Sequence, residues 1–351
     1  MRLLSMLDEN KIRIAVVGCG RISKNHFGSI EQLNSEFELV AVCDNNQQVL
    51  SEHQERYKVP GYLSIDDLLE SEKLDLVTLC TPSGLHASQA IKAANAGVHV
   101  ITEKPMATKW EDGLAMVKAC DEAGVRLFVV KQNRRNSTLQ LLKRAVAEKR
   151  FGKIHMVHLN VFWTRPQEYY DRAKWSGTWD MDGGAFMNQA THYVDLMHWL
   201  IGPVESIHAM TSTHRDIEVE DTGVVNIKWR NGALGSMAVT MCTYPNNLEG
   251  SITILGEKGT VRIGGVAVNE IQEWNFSESK DYDQDIAQAN YQTTSVYGFG
   301  HPPYFKNVAD VLRGLAEPET DGREGLKSLE LLISIYRSAR DRNEIGLPLN
   351  I

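Results

Sequence analysis

Ile12-Arg13-Ile14-Ala15-Val16-Val17-Gly18-Cys19-Gly20-Arg21-Ile22-Ser23 is an apolar run that breaks at a glycine turn and continues as a polar stretch able to form a helix. A buried strand running straight into G-x-G opens a dinucleotide-binding βαβ unit. The glycines make the tight turn and let backbone approach a pyrophosphate at a helix amino terminus. Ser23 stands where the third glycine is usual, and it is small enough for strand and helix to pack closely. G-x-G alone is often just a turn, but here Asp44 follows the second apolar run, 37–43, where a carboxylate can accept hydrogen bonds from the adenosine ribose hydroxyls. That carboxylate would repel a 2′-phosphate, and Asn45 and Asn46 follow with no arginine or lysine nearby, so NAD is expected rather than NADP. The alternative is Asp44 as a helix cap in a nucleotide-free fold of the same kind.

Outward from this turn, apolar runs at 12–17, 37–43, 74–81, 98–102 and 125–130 alternate with helical patterns such as 88–96 and 110–123. Near-continuous apolar strands separated by helices imply a parallel sheet covered on both faces. After about residue 133 the grammar changes. A helical piece at 137–148 leads to long runs at 154–163, 204–213, 222–229, 233–242, 249–255 and 260–263, joined by short turns that include Asn231-Gly232 and Glu257-Lys258-Gly259. Asn-Gly between two such runs is a strong hairpin signal. The expected fold is α/β, with a parallel Rossmann-type sheet in residues 1–132 and a second α/β domain with an open, mainly antiparallel sheet in 133–351. The polar stretch 277–294 reads as a surface loop. A last helix begins at Asp321, with Glu324 in capping-box spacing and Leu326, Leu329, Ile333 and Tyr336 as its buried stripe.

The 351 residues are enough for two domains, and the formal charge of −8 offers no general attraction to nucleic acid or an anionic membrane. Five cysteines, odd in number, scattered and without a C-x-x-C pair, argue against a disulfide frame or zinc site. The first ten residues hold too short an apolar stretch for a signal peptide or a membrane span. A reduced, cytoplasmic protein is expected. His155 and His158 resemble a metal pair, but in a strand they point to opposite faces, and no metal is expected.

Glu103-Lys104-Pro105 closes the run at 98–102, at the carboxyl end where open α/β sheets place their ligands. Thr81-Pro82-Ser83, with Leu85 and His86 opening the next helix, lines the same end, although such a stretch can also be simply a proline turn with a cap. With Gly18 through Lys104, the segment Asp182-Gly183-Gly184-Ala185-Phe186-Met187-Asn188-Gln189-Ala190-Thr191-His192 resembles the Gfo/Idh/MocA family of sugar and inositol dehydrogenases, over nearly the whole chain. Within it, the stretch 165–171, with Trp175, Gly177-Thr178-Trp179 and Met187-Asn188-Gln189, looks most like the UDP-N-acetylglucosaminuronate 3-dehydrogenases. The resemblance implies a nicotinamide-dependent oxidation in lipopolysaccharide or O-antigen sugar biosynthesis, active-site roles for Lys104 and His192, and a homo-oligomer, dimer or tetramer. It also implies cofactor contacts at Gly18, Gly20, Arg21, Ile22, Asp44, Thr81, Pro82, Ser83, Leu85, His86, Glu103, Lys104, Gln132 and Asn133.

Oxidising a secondary alcohol needs a base for the hydroxyl proton and a cation for the developing alkoxide. His192, with an ordinary pKa of about 6.5, is the simpler base. Lys104, ordinarily near about 10.4, would have to fall to about 7 to share that task, so it is assigned the cation, with proton shuttling as the alternative. A plain reading of His192 is a satisfied helix histidine beside Val194, Leu196, Met197 and Leu200. Many family members carry an aspartate where Asn188 stands. On a helix Asn188 and His192 would share a face, so the amide could orient the ring or bind the sugar. A UDP-sugar acid brings a carboxylate and a diphosphate, for which Arg165 is the first candidate and Arg134, Arg135 and Lys174 are secondary. Tyr169, Tyr170 and Trp175 could pack against the sugar or uracil or merely anchor the loop, and Gln189 completes the expected substrate contacts. Two rivals are a free-sugar or inositol dehydrogenase and a regulatory protein that senses NAD or a sugar nucleotide without turnover.

Overall fold

Every residue but Arg13 is buried in the strand Ile12–Val17 of the computed structural model, which describes residues 10–293, 296 and 298–349. This strand sits mid-sheet between Phe37–Cys43 and Leu76–Leu79, in a six-stranded parallel sheet whose order is Gly61–Tyr62, Phe37–Cys43, Ile12–Val17, Leu76–Leu79, His99–Thr102, Leu127–Val129. The order reverses beside Ile12–Val17, which makes the carboxyl ends of Ile12–Val17 and Leu76–Leu79 the switch point where such sheets bind ligands. Three strands are shorter than their apolar runs; at the carboxyl ends Cys80-Thr81 leave the ladder and Glu103-Lys104 continue past Thr102 as loop. The helix after Leu76–Leu79 starts at His86, behind a 3-10 turn at Ser83–Leu85.

The chain divides into two compact units, and the division is not the single cut expected at 132/133. One unit runs to Lys131 and takes back His301–Leu329; the other is Gln132–Gly300 with the residues from Glu330 onward. The reason is the apolar face of helix His301–Leu312. Tyr304, Phe305, Val308, Ala309, Val311 and Leu312 enter the same core cluster as Ile12, Phe27, Ile30 and Phe37. Beyond that helix Thr320 Oγ1 donates to the Val129 carbonyl at 2.8 Å, and Asp321 bridges Phe128.

The second unit carries an eight-stranded sheet, in the order Glu270–Phe276, Gly259–Gly264, Glu249–Gly256, Ile154–Phe162, Leu234–Thr240, Thr222–Trp229, Val204–Ser212, Ile345–Gly346. Ile154–Phe162 and Leu234–Thr240 pair parallel, and the other neighbours are antiparallel. The Asn231-Gly232 hairpin forms as expected, with Gly232 at φ +88° and the Asn231 side chain accepting from Ala233 N–H at 3.0 Å. The edge strand Glu270–Phe276 had no sequence signal, since only Ile271 of its seven residues is buried.

The expected loop at 277–294 contains a 3-10 turn, Asp281–Asp285, and a short helix, Ile286–Ala289; Thr294 lies outside the described residues. Arg150 grips Asp283 through two bonds of 2.6 and 2.8 Å, and Tyr282 is buried beneath. Pieces this short show no period to read. The helix Gly322–Asp341 is capped as expected, Asp321 Oδ1 accepting from Glu324 N–H at 2.8 Å. Its buried apolar residues are Leu329, Leu331, Leu332 and Ile335, while Leu326, Ile333 and Tyr336 of the expected stripe are half-buried.

Candidate active site

At the switch point Gly18 has φ +88°, and a Cβ there would lie 2.8 Å from Cys80 C and Thr81 N, so only glycine lets the turn press on the neighbouring strand end. Nothing lies within 4 Å of the corresponding position at Gly20. That is open room for a ligand to approach backbone. Ser23 Oγ donates to the Gly20 carbonyl at 2.7 Å and steadies the loop. The helix Ser23–Gln32 has no side-chain cap and no acid in its first turn, so its amino-terminal N–H groups keep their affinity for an anion. Asp44 is not the helix cap; Asn46 caps helix Gln47–Tyr57 through bonds to Gln48 and Val49 N–H. Asp44 instead takes Cys19 N–H on Oδ2 and Asn46 N–H on Oδ1, both at 2.8 Å, which aims the carboxylate beside the glycine turn.

The second and third loops are tied together by His86. Its Nδ1 lies 2.9 Å from the Pro105 carbonyl and its Nε2 2.9 Å from the Thr81 carbonyl, and the ring is buried. Burial lowers its pKa against the pull of those two carbonyls. His86, expected as a cofactor contact, is therefore a clasp between two loops. Thr81 Oγ1 is engaged by Gln89 at 2.6 Å. Glu103 is buried too. Its Oε2 accepts Lys104 N–H at 3.0 Å, and its Oε1 lies 2.8 Å from His26 Nε2 and 3.6 Å from His301 Nε2. Lys104 itself is half-buried.

In the second unit His192 lies in the first turn of helix Thr191–Ile201, buried, with its Nε2 2.9 Å from the side-chain nitrogen of Gln132. Gln132, expected to touch the cofactor, thus holds the candidate base. Asn188 is not on that helix, which begins only at Thr191. It belongs to a turn folded over Glu220, where Gly183 has φ +75° and a Cβ at Gly184 would collide with the Glu220 carboxylate. The Asn188 amide donates to Asp182 Oδ1, and Asp182 Oδ2 accepts Gly177 N–H at 2.8 Å. A carboxylate missing at position 188 is thereby present beside it, at 182.

Arg134 forms a buried fork with Asp195, two bonds of 2.7 Å each, so it braces helix Thr191–Ile201 and does not serve as an anion wall. Arg165 is held between the rings of Trp163 and Tyr169, 5.4 Å from each, and donates to the Thr164 carbonyl at 2.7 Å. Tyr170 is buried against Gly177, with its hydroxyl pKa raised by burial, and it packs the loop rather than facing a ligand. Trp175 and Lys174 are exposed, and Gln189 is buried.

Residues 12–131 match the oxidoreductase-family NAD-binding Rossmann fold, and residues 143–347 match the C-terminal alpha/beta domain of the same family. The chain belongs to the Gfo/Idh/MocA oxidoreductase family. Two solved structures are similar along its full length. The WlbA dehydrogenase of Bordetella pertussis, in complex with NADH and UDP-GlcNAcA, is 63% identical with TM-score 0.96 and covers 98% of this chain and 100% of its own. The WlbA dehydrogenase of Chromobacterium violaceum, with the same two molecules, is 62% identical with TM-score 0.96, covering 100% of both chains. More distant is the myo-inositol 2-dehydrogenase of Thermotoga maritima, 29% identical over 96% of this chain and 98% of its own.

His26, His301 and Glu220 had no sequence signal, and Asp182, though inside the motif, had no role assigned from the sequence. Glu220 Oε1 accepts Phe186 N–H at 2.9 Å and the Tyr336 hydroxyl at 3.0 Å, which supports the turn carrying Asn188 from below. Burial raises its pKa to about 7, against the two hydrogen bonds. His26, His301 and Glu220 each come from an element distant in sequence from the group they meet.

Proposed function

We propose that this protein binds NAD and oxidises the C3 hydroxyl of UDP-N-acetylglucosaminuronate to the 3-keto sugar nucleotide. The observation that carries the reading is similarity along the full chain, at 62–63% identity, to two dehydrogenases whose structures hold NADH and UDP-GlcNAcA. The residues present suit the dinucleotide: open space at Gly20, an uncapped helix start, and the Asp44 carboxylate aimed beside the turn. Gly18, Gly20 and Asp44 would hold it. When bound, it supplies the hydride acceptor.

The chain's own groups handle the proton and the charge. His192 takes the hydroxyl proton on Nε2, where the Gln132 amide nitrogen now donates; that bond leaves the ring hydrogen on Nδ1. The substrate hydroxyl replaces Gln132 at this atom. Lys104 steadies the alkoxide as a cation. Asp182 fixes the Asn188 amide with its nitrogen inward, so that its carbonyl oxygen can orient a sugar hydroxyl. Arg165, pinned between two rings, meets the acid or the diphosphate with little entropy left to lose.

The same reading carries a cytoplasmic location, a place in lipopolysaccharide or O-antigen sugar synthesis, and a dimer or tetramer. Among the described residues no helix is long and apolar enough to cross a membrane. Cross-strand neighbours Met156 with Leu234, and Met210 with Val224, leave apolar side chains exposed on one face of the second sheet, which supports a homo-oligomer.

The test is reduced-nicotinamide absorbance on mixing purified protein, NAD and UDP-N-acetylglucosaminuronate. The non-acidic UDP-sugar and myo-inositol serve as controls. Turnover should require the acid; turnover of myo-inositol instead would select the free-polyol reading, and NAD affinity with no turnover of any substrate would select a sensor.

A further inference from the structure

We propose that Glu220 and Tyr336 are positioning residues for the reaction, a strut that sets the turn 183–188 and, through it, the Asn188 amide and the start of the helix carrying His192. The inference rests on the roles given to Asn188 and His192 above and names what holds both in place. All of these groups belong to the second unit.

The turn leaves three of its N–H groups for partners from elsewhere in the chain. Asn188 N–H goes to the Gly184 carbonyl at 2.9 Å and Ala190 N–H to the Ala185 carbonyl at 2.8 Å, which leads directly into helix Thr191–Ile201. The donors between them are met by the strut. Ala185 N–H donates to the Glu220 carbonyl at 2.9 Å, Phe186 N–H to Glu220 Oε1 at 2.9 Å, and Met187 N–H to the Tyr336 hydroxyl at 3.1 Å. That hydroxyl gives its own hydrogen to Glu220 Oε1 at 3.0 Å. Ala185, Phe186 and Met187 are all buried, and a buried N–H without a partner is costly, so the turn keeps this path only while the strut stands.

The fit is close. A Cβ at Gly184 would collide with the Glu220 carboxyl, so that group packs directly on the turn. Tyr336 also meets the ring of Trp179 edge-on at 5.2 Å, and the loop that carries Asp182 rests on the same residue. The neighbouring acid serves another loop: Asp221 Oδ2 accepts His214 N–H at 2.8 Å and Arg215 N–H at 2.7 Å. What the turn takes from the Glu220 side chain is the acceptor Oε1, not a charge. Oε2 is buried and, among the described residues, has no hydrogen-bond partner. A glutamine keeps that acceptor and a leucine does not.

The test compares Glu220→Leu, Glu220→Gln and Tyr336→Phe in the full-length protein. Amide hydrogen exchange over residues 183–190, read by peptide mass spectrometry without substrate, stands apart from the identity of the sugar. Exchange should quicken at least about tenfold in Glu220→Leu and Tyr336→Phe and stay within about threefold of the wild type in Glu220→Gln. Unchanged exchange in the first two overturns the strut. In the turnover assay kcat per NAD-binding site should fall about tenfold or more in those two, further than KM for the sugar nucleotide rises, and Glu220→Gln should recover most of it. A change confined to KM or to NAD affinity, or a glutamine variant as slow as the leucine one, overturns the link to catalysis. If Glu220→Leu gives no cooperative melt, Tyr336→Phe carries both measurements. A wild type that turns over no sugar nucleotide acid defeats the substrate reading and leaves the exchange measurement to decide the strut.

Discussion

Lys104 and His192 differ in what the surrounding residues do to them. Lys104 is joined through its backbone to a buried carboxylate, and His192 through its ring to a neutral amide. The amide holds the His192 ring at Nε2, the atom that would take a proton. Lys104→Ala should lower kcat at least about 100-fold while NAD affinity, measured by fluorescence titration, is retained. Glu220 makes a different prediction, about stability. Its pKa in the folded state is near 7, above the ordinary 4.5, so the folded protein keeps a proton that the unfolded chain has released. Stability should fall as pH rises from about 4.5 through about 7, by up to about 3 kcal/mol. Urea midpoints of the wild type against Glu220→Gln between pH 5 and 8 check this, since the variant should lack that part of the slope. Both catalytic candidates were legible from the chain because a motif surrounds them. Glu220 was not, because a buried acid and an exposed one look alike until the fold decides which is which.

At the scale of elements, the glycine turn is where local sequence and tertiary packing agree most closely. Gly18→Ala places a methyl 2.8 Å from Cys80 C and Thr81 N at a φ of +88°. It should cost about 1–3 kcal/mol and weaken NAD binding, read by thermal melting with and without the dinucleotide. Asn188 shows the opposite case. Helical spacing to His192 suggested a shared face, yet Gly183-Gly184 and the Glu220 beneath them fold this segment as a turn, and the helix starts only at Thr191. Its partner became Asp182. Removing that partner by Asp182→Ala should lower kcat by about tenfold or more with little change in NAD affinity, because the amide loses the bond that orients it. The inner strands of both sheets could be read in advance, since period and turn residues are local. The edge strands Gly61–Tyr62, Glu270–Phe276 and Ile345–Gly346 and the short pieces between 281 and 289 could not, because they bury too few side chains to leave a pattern.

At the scale of the whole molecule, the first unit is completed by a segment from near the other end of the chain. Residues 1–131 expressed alone should fail to fold cooperatively, as followed by circular dichroism and amide proton dispersion. The core around Ile12, Phe27 and Phe37 would lack Tyr304, Phe305 and Val308. Phe305→Ala in the full chain should cost about 3–5 kcal/mol. By itself the sequence determined the parallel sheet, the glycine turn with Asp44, the antiparallel second half, and the lysine and histidine proposed for the chemistry. All of these rest on residues close together along the chain, where period, turn propensity and motif spacing act. Only the tertiary structure decided that helix His301–Leu312 belongs to the first unit, that His26 and His301 close on Glu103, that Arg134 is taken by Asp195, and that Asp182 stands beside Asn188. The helix is placed by apolar packing, the Asp182–Asn188 pair by the fold of one turn, and the others are pairings of buried polar groups across long stretches of chain, which no local pattern encodes.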